Sequence, residues 1–377
     1  MKKGYIRLLF FELLVCFILF LNSFVWNILS RHAMNIFLFA LIILFKVVFG
    51  TERDRHRYIK DVMLDVFIFL VIFFMLYYLF GIIVSFAKPN NYYTLDGFSN
   101  FIIPTIFFVL FREYLRYNVI MKAEGNKLVT IISVIMFVWF DITSALYYRQ
   151  FTSSYNIFLF LALTLLPSIS SNIVFSYMTF MVGYKPVILY SIVMSLYYYL
   201  MPIVPNPSQY VSSVINFLLP MIMLYRVHLF FKKARDEEDI DRSYKKMHYS
   251  WLVISSFIVI VLVYFTSGYF KYWAIAVASG SMEPVIHKGD VAIIEKVDKD
   301  YNKLKKGDVL AFRYSGVTII HRVINIVKDS DKYYFYTKGD ANSNEDNFVV
   351  EEKMIVGRVR VKLPYIGIPT VWLNELL

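Results

Sequence analysis

From about residue 6 to residue 270 the chain repeats one pattern: long apolar and aromatic runs separated by short polar stretches. The runs are Ile6–Leu29, Met34–Gly50 and Met63–Ala87, then a fourth that begins near Phe101 and carries into Arg112, Glu113 and Arg116. Leu128–Tyr148, Asn156–Val182 (with Pro167 inside), Pro186–Ile203, Val211–Phe231 and Trp251–Phe270 follow. A bilayer-crossing helix needs about 20 apolar residues, so the pattern predicts a membrane α-helical bundle of about nine spans. Met1-Lys2-Lys3 ahead of the first run has the look of a signal peptide. That run is too long for a cleaved hydrophobic region and has no clear small-residue cleavage site, so it reads as a retained span.

After Lys271 the period changes. Short runs rich in valine and isoleucine (Val291–Glu295, Val309–Tyr314, Thr318–Val327, Lys332–Thr337 and Lys353–Leu363) alternate with turn residues, the pattern of a compact antiparallel β domain. Lys-Gly-Asp recurs at 288–290, 306–308 and 338–340. Each is expected at a turn, with the glycine supplying an unusual backbone angle and the aspartate capping it. The third leads into Ala341-Asn342-Ser343-Asn344-Glu345-Asp346, a polar run richer than a turn requires. The expected organisation is a polytopic membrane domain of unassigned role at 1–231, a charged cytoplasmic linker at 232–249, a last transmembrane helix at 250–271 and a mainly-β domain at 272–377.

Composition agrees: 58% of the residues are hydrophobic, 19% aromatic and only 18% charged, against about 25% charged in an ordinary soluble domain. The net charge of +11 is accounted for by basic loops beside membrane spans rather than by a phosphate-tracking patch, so no nucleic-acid partner is expected. Lysine and arginine gather at the N-terminus, Arg53–Lys60, Arg112–Lys127, Lys185 and Lys232–Lys246. They alternate with weakly charged loops at Ser30–Ala33, Lys88–Asn100, Arg149–Tyr155 and Pro205–Tyr210. Basic loops face the cytoplasm, which puts the N-terminus inside and everything after Phe270 outside. Glu113, Arg112 and Arg116 are expected to snorkel at the inner boundary, leaving Asp141 as the ionisable residue well inside. The single cysteine, Cys16, permits neither an intramolecular disulfide nor a cysteine-based metal site.

The candidate chemistry begins at Ser279-Gly280-Ser281-Met282-Glu283-Pro284, just past the last apolar run. Glycine lets a backbone approach a substrate and proline fixes the exit of the turn. A serine hydroxyl needs a base to take its proton, most often histidine. Of the six histidines, His32, His56, His228 and His248 belong to the membrane region or its loops, and His287 sits on an exposed turn. His321 remains, on a β run where Val317, Ile319, His321 and Val323 share a face. A carboxylate should orient the imidazole, and Asp340 and Asp346 are both candidates. The backbone N–H of Ser281 and the Ser279 hydroxyl are candidate oxyanion donors.

These stretches resemble the catalytic domain of type I signal peptidases, in the Ser-His branch found in the endoplasmic reticulum, archaea and some Gram-positive bacteria. Ser279–Pro284 is similar to the nucleophile box, whose second serine attacks. His321-Arg322-Val323 is similar to the box that holds lysine in the commoner bacterial branch. Lys338-Gly339-Asp340-Ala341-Asn342 with Asp346 is similar to the last box, where the later aspartate usually completes the triad. That implies Asp346, with Asp340 supporting. Gly357-Arg358-Val359 and Pro364-Tyr365-Ile366-Gly367 fit the closing strand. The resemblance covers about residues 270–370 and leaves the multi-span N-terminal region, unusual for the family, without a counterpart.

The resemblance implies a serine endopeptidase, which the span pattern and charge bias place in a multi-pass, cell-membrane protein with an extracytoplasmic catalytic domain. It would remove signal peptides from translocated preproteins by acyl-enzyme chemistry, cleaving after small residues and needing no cofactor or metal. The strand before the serine, Ala274–Ala278, would pair with the substrate, with Ala274, Ala276 and Ala278 forming shallow pockets. Tyr272 and Trp273 would rest at the interface. Expected partners are preprotein signal peptides, the lipid bilayer and the secretion translocon. The competing reading is a catalytically inactive, peptidase-like membrane scaffold or transporter.

Overall fold

A computed structural model of the chain describes residues 3–26, 30–51, 56–89, 94–148, 153–236, 250–297, 301–329, 332–368 and 370–372. It divides into two compact units, Met1–Tyr249 and Ser250–Leu377. Most of the expected charged linker, residues 237–249, lies outside the described residues.

The first unit is helical: α1 (Lys3–Leu21), α2 (Arg31–Phe49), α3 (Ile59–Val84), α4 (Leu95–Ala123), α5 (Lys127–Tyr148), α6 (Ser154–Val182), α7 (Lys185–Leu200) and α8 (Gln209–Asp236). Among the described residues, six helices are long and apolar enough to cross a membrane: α1, α2, α3, α4, α6 and α8. The helices at the expected seventh and ninth spans are α7, of 16 residues, and Ser250–Thr266 (α9) in the second unit, of 17. α7 falls short of the usual length of about 20, and α9 is described only from Ser250, where the described residues resume.

Two apolar clusters hold the first unit together. Leu8, Leu38, Phe45, Leu115 and Phe137 join α1, α2, α4 and α5. Val66, Val174, Met178, Val187 and Met223 join α3, α6, α7 and α8. The charges of α4 depart from the expected boundary position. Glu113 and Arg116 are fully buried and Arg112 nearly so, while the Asp141 side chain keeps 21% exposure. Snorkelling is unnecessary because the charges neutralise one another. Arg112 pairs with Glu113 (2.8 Å) and with Asp141, and Arg116 Nε donates to Glu113 at 2.7 Å. Helix α1 carries a polar contact of the same kind: Glu12, also fully buried, accepts from Ser133 Oγ at 2.5 Å.

The second unit opens with α9 and continues as a seven-stranded antiparallel sheet: β1 (Tyr272–Ala276), β2 (Val291–Lys296), β3 (Val309–Tyr314), β4 (Val317–Asp329), β5 (Lys332–Lys338), β6 (Val350–Glu351) and β7 (Ile355–Leu363). The strand order is β1-β2-β7-β3-β4-β5-β6, so β1 is an edge strand. Both faces of the central strands are covered. Ala292, Ile294, Ala311 and Ile320 pack in one core with Val277, Met282 and Ile286. Leu310, Phe312, Val323 and Phe335 pack in the other. Burial on both faces is why these strands read as nearly continuous apolar runs rather than as strict alternation.

The three Lys-Gly-Asp turns are not alike. Gly289 and Gly307 take positive φ values of 91° and 96°, as expected. Their aspartates close the turn three residues back: the His287 N–H donates to Asp290 Oδ2 (3.0 Å) and the Lys305 N–H to Asp308 Oδ2 (2.9 Å). Gly339 lacks the unusual angle, and the expectation fails there for a steric reason. A Cβ at Gly339 would lie 2.6 Å from the Ser281 carbonyl oxygen, so glycine serves close approach instead of turning.

Asp290 ties three segments together. It is 1% exposed, accepts from His287 N–H and from Tyr365 N–H (3.2 Å), and its own carbonyl accepts from Val277 N–H. The His287 N–H hydrogen bond, aided by Tyr365 and opposed by burial, holds its carboxyl below the ordinary aspartate value. A lowered native pKa contributes stability at pH above the ordinary value of about 3.9, lost as pH falls through the native value. Limited proteolysis of the full chain should therefore show the β unit losing resistance from about pH 4 downward. Asp290→Asn should be less resistant at neutral pH and less steep in acid. A parent and variant of equal acid slope would remove Asp290 from this role.

Candidate active site

The Ser281 turn is anchored from below. Met282 and Ile286 are 1% and 3% exposed within the core beside β2 and β3. The Ile286 N–H donates to the Met282 carbonyl (2.9 Å) and the Glu283 N–H to the Gly280 carbonyl (3.1 Å). Burying the flanking apolar side chains fixes the turn while Ser281 itself stays partly exposed. A second tether comes from the third Lys-Gly-Asp segment, where the Ala341 N–H donates to the Ser281 carbonyl at 2.9 Å. That contact is what the bare Gly339 makes room for.

His321 lies in β4 opposite Leu310 of β3 and is 7% exposed, with its ring against Phe312 on the expected face. Its Nε2 is 3.2 Å from Ser281 Oγ and its Nδ1 is 2.7 Å from Asp346 Oδ2. An ionised carboxylate only accepts, so Nδ1 carries the proton toward Asp346 and Nε2 is left to accept from the serine hydroxyl. Asp346 is itself fixed twice by one β5 residue. Thr337 Oγ1 donates to Asp346 Oδ2 (2.6 Å), and the Asp346 N–H donates to the Thr337 carbonyl (3.0 Å). Thr337 was not singled out from the sequence, where a threonine in an alternating strand carries no signal of its own.

Asp340 does not reach the histidine. It takes a two-pronged ion pair from Arg322 Nε (2.8 Å) and Nη2 (2.6 Å), while Arg322 Nη1 donates to the Gly307 carbonyl (2.8 Å). The neighbour of His321 on β4 thus locks the second and third Lys-Gly-Asp turns together, a supporting contact one step from the serine. Ser279 is exposed, with its Oγ 3.4 Å from Ser281 Oγ. Ala274 and Ala276 lie on β1 and Ala278 just beyond it. Trp273, Ile275 and Val277 pack into the core, so the period of two turns the alanines to the other face. His287 is half exposed and lies beside Asp290, as expected of a turn residue.

Residues 250–330 match the family model described as signal peptidase, peptidase S26. Over these residues the chain is similar to the signal peptidase family. Proteins similar to this part of the chain include the signal peptidase complex catalytic subunit SEC11C of Homo sapiens and of Canis lupus familiaris, each 36% identical over 111 residues. That match covers 27% of this chain and 57% of the relative. The SEC11 subunit of Clavispora lusitaniae is 33% identical over 111 residues, 65% of its length. The chain therefore spans between about half and two thirds of the length of these curated relatives.

Proposed function

We propose that this chain is a membrane-bound serine endopeptidase that removes signal peptides from translocated preproteins. The observation that carries the reading is the hydrogen-bonded series Asp346–His321–Ser281, assembled from three separate stretches of sequence. In this scheme His321 Nε2 takes the proton of Ser281 Oγ as the oxygen attacks the scissile carbonyl. Asp346 stabilises the resulting imidazolium and Thr337 keeps the carboxylate in place. The tetrahedral oxyanion is met by the Ser281 N–H and the Ser279 hydroxyl. His321 returns the proton to the leaving amine, an acyl-enzyme remains on Ser281, and water releases the mature protein by the same path.

The free edge of β1 suits an extended substrate, which would add as a further strand and set its small side chains against Ala274, Ala276 and Ala278. With nine crossings and the N-terminus in the cytoplasm, the β unit would lie outside, where cleavage sites emerge in the membrane plane. The bilayer and the secretion translocon are the corresponding partners.

The test is a cleavage assay on the full chain in liposomes, followed by trapping with a serine-acylating inhibitor and peptide mass mapping. Cleavage after a small residue with the adduct on Ser281 is expected. No cleavage of any preprotein, or an adduct elsewhere, would favour the inactive scaffold.

A further inference from the structure

The helical unit holds a cavity of ≈350 Å³ between α4, α5, α6, α7 and α8. That is within the size range of small-ligand sites, about 300–1,000 Å³. Its lining is unusual for a helix bundle. Ser168, Ser171, Ser191 and Ser195 line it together with Tyr190 and Tyr197, and Phe175, Met194 and Leu219 form its apolar side. Arg112 and Asp141 contribute the charged wall, held in place from behind. Asp141 Oδ2 accepts from Ser168 Oγ (2.9 Å) and from Asn172 Nδ2 (2.7 Å). Asn172 Oδ1 in turn accepts from the fully buried Arg116 at 2.6 Å.

Two features of the wall bear on what it could hold. Ser191 is 3% exposed and its hydroxyl has no hydrogen-bond partner among the described residues. A buried, unsatisfied hydroxyl is costly, and such groups are rare unless something else satisfies them. On the facing helix, Pro220 lies inside α8 and has no N–H to give the carbonyl of Asn216, one turn back, and both residues line the cavity. The wall thus holds an unpartnered hydroxyl on α7 and, on α8, a carbonyl whose usual helical donor is absent.

The charges restrict what fits. Arg112 and Arg116 are matched by Glu113 and Asp141 in one connected network, so the site is already neutral. An ion entering it would bring uncompensated charge into a low-dielectric interior. Serine and tyrosine hydroxyls both donate and accept, which matches a ligand whose groups do the same. We propose that this cavity binds a neutral polyhydroxyl group, a glycerol- or sugar-like head, with Ser191 and the Asn216 carbonyl as its fixed contacts.

The full chain in phosphatidylcholine nanodiscs tests this by native mass spectrometry. Three probes are used separately: monoglucosyl diacylglycerol, free glucose, and phosphatidic acid as an anion without a polyol. Saturable one-to-one retention of the glucolipid is expected, weakened at least tenfold by Ser191→Leu and by Ser195→Phe, which fill the space. Ser191→Ala, which barely perturbs packing, should weaken it severalfold and so covers failure of the larger variants to fold. Retention of free glucose with the same sensitivity would assign the site to a soluble polyol and leave the chemistry intact. Preference for phosphatidic acid, equal retention in the filled variants, or no saturable binding of either polyol would overturn the proposal. Because the readout is ligand mass, the outcome is independent of peptidase activity.

Discussion

Replacing Ser281 by alanine is expected to lower kcat for preprotein cleavage at least about 10³-fold while the protein still inserts and folds. The turn does not depend on the hydroxyl: its anchors are Met282, Ile286 and the Ser281 carbonyl, none of which the substitution touches. His321→Ala should cost as much, and the double variant little more, because nucleophile and base act as one unit. Asp346→Asn is the sharper probe. Its amide would donate where the carboxylate now accepts, turning the imidazole to the wrong tautomer, for a loss of about 10²–10⁴-fold. Asp340→Asn should cost much less, since Asp340 meets Arg322 and not the histidine. Steady-state kinetics on liposome-reconstituted variants decide the matter. Full activity in Ser281→Ala or in His321→Ala would end the serine-peptidase reading, and equal losses at Asp340 and Asp346 would undo the assignment of the carboxylate.

Arg116→Met should be the most damaging single change in the helical unit. The guanidinium is fully buried, donates to Glu113 (2.7 Å), Asn172 (2.6 Å) and Ser176 (3.1 Å), and lies 4.1 Å from the centre of the Phe137 ring. Without Arg116, Arg112 alone faces both Glu113 and Asp141, and the uncompensated buried charge should cost about 3–5 kcal/mol. Replacing both as Glu113→Leu with Arg116→Met should recover much of that loss, because no charge is left without its counterpart. Thermal unfolding of the full chain in nanodiscs, read by a probe in the helical unit, measures both. A single variant as stable as the parent would mean that water or lipid solvates the arginine, contrary to its burial.

The division between pattern and packing is visible in single residues. Apolar runs mark each of the nine helices α1–α9, since a long apolar run has few other uses. They do not separate α7, which at 16 residues is shorter than a full span, from the others. The β runs are legible because valine and isoleucine cluster between Gly-Asp turns, and the ends of β3 coincide with the expected Val309–Tyr314. Gly289 and Gly307 behave as turn glycines, whereas Gly339 is explained only by the chain that crosses it, the Ser281 carbonyl.

Residue type and order along the chain suffice to single out Ser281, His321 and the acidic stretch 340–346, because few side chains can act as nucleophile, base and orienting carboxylate. They do not choose between two aspartates six positions apart. That choice depends on the pairing of β4 with β5, whose register shifts between Val323 and Asn325, and on Thr337, which holds Asp346 where His321 points. Charge pattern likewise places two arginines and a glutamate on α4 but not their depth. Burial of Arg116 follows from partners on α6, more than fifty residues away in sequence. Local physics, the need to cross a bilayer or to close a turn, is written in consecutive residues. Contacts between distant segments come into being only when the chain packs, and the environment of Ser281 and of the α4 charges is made of such contacts.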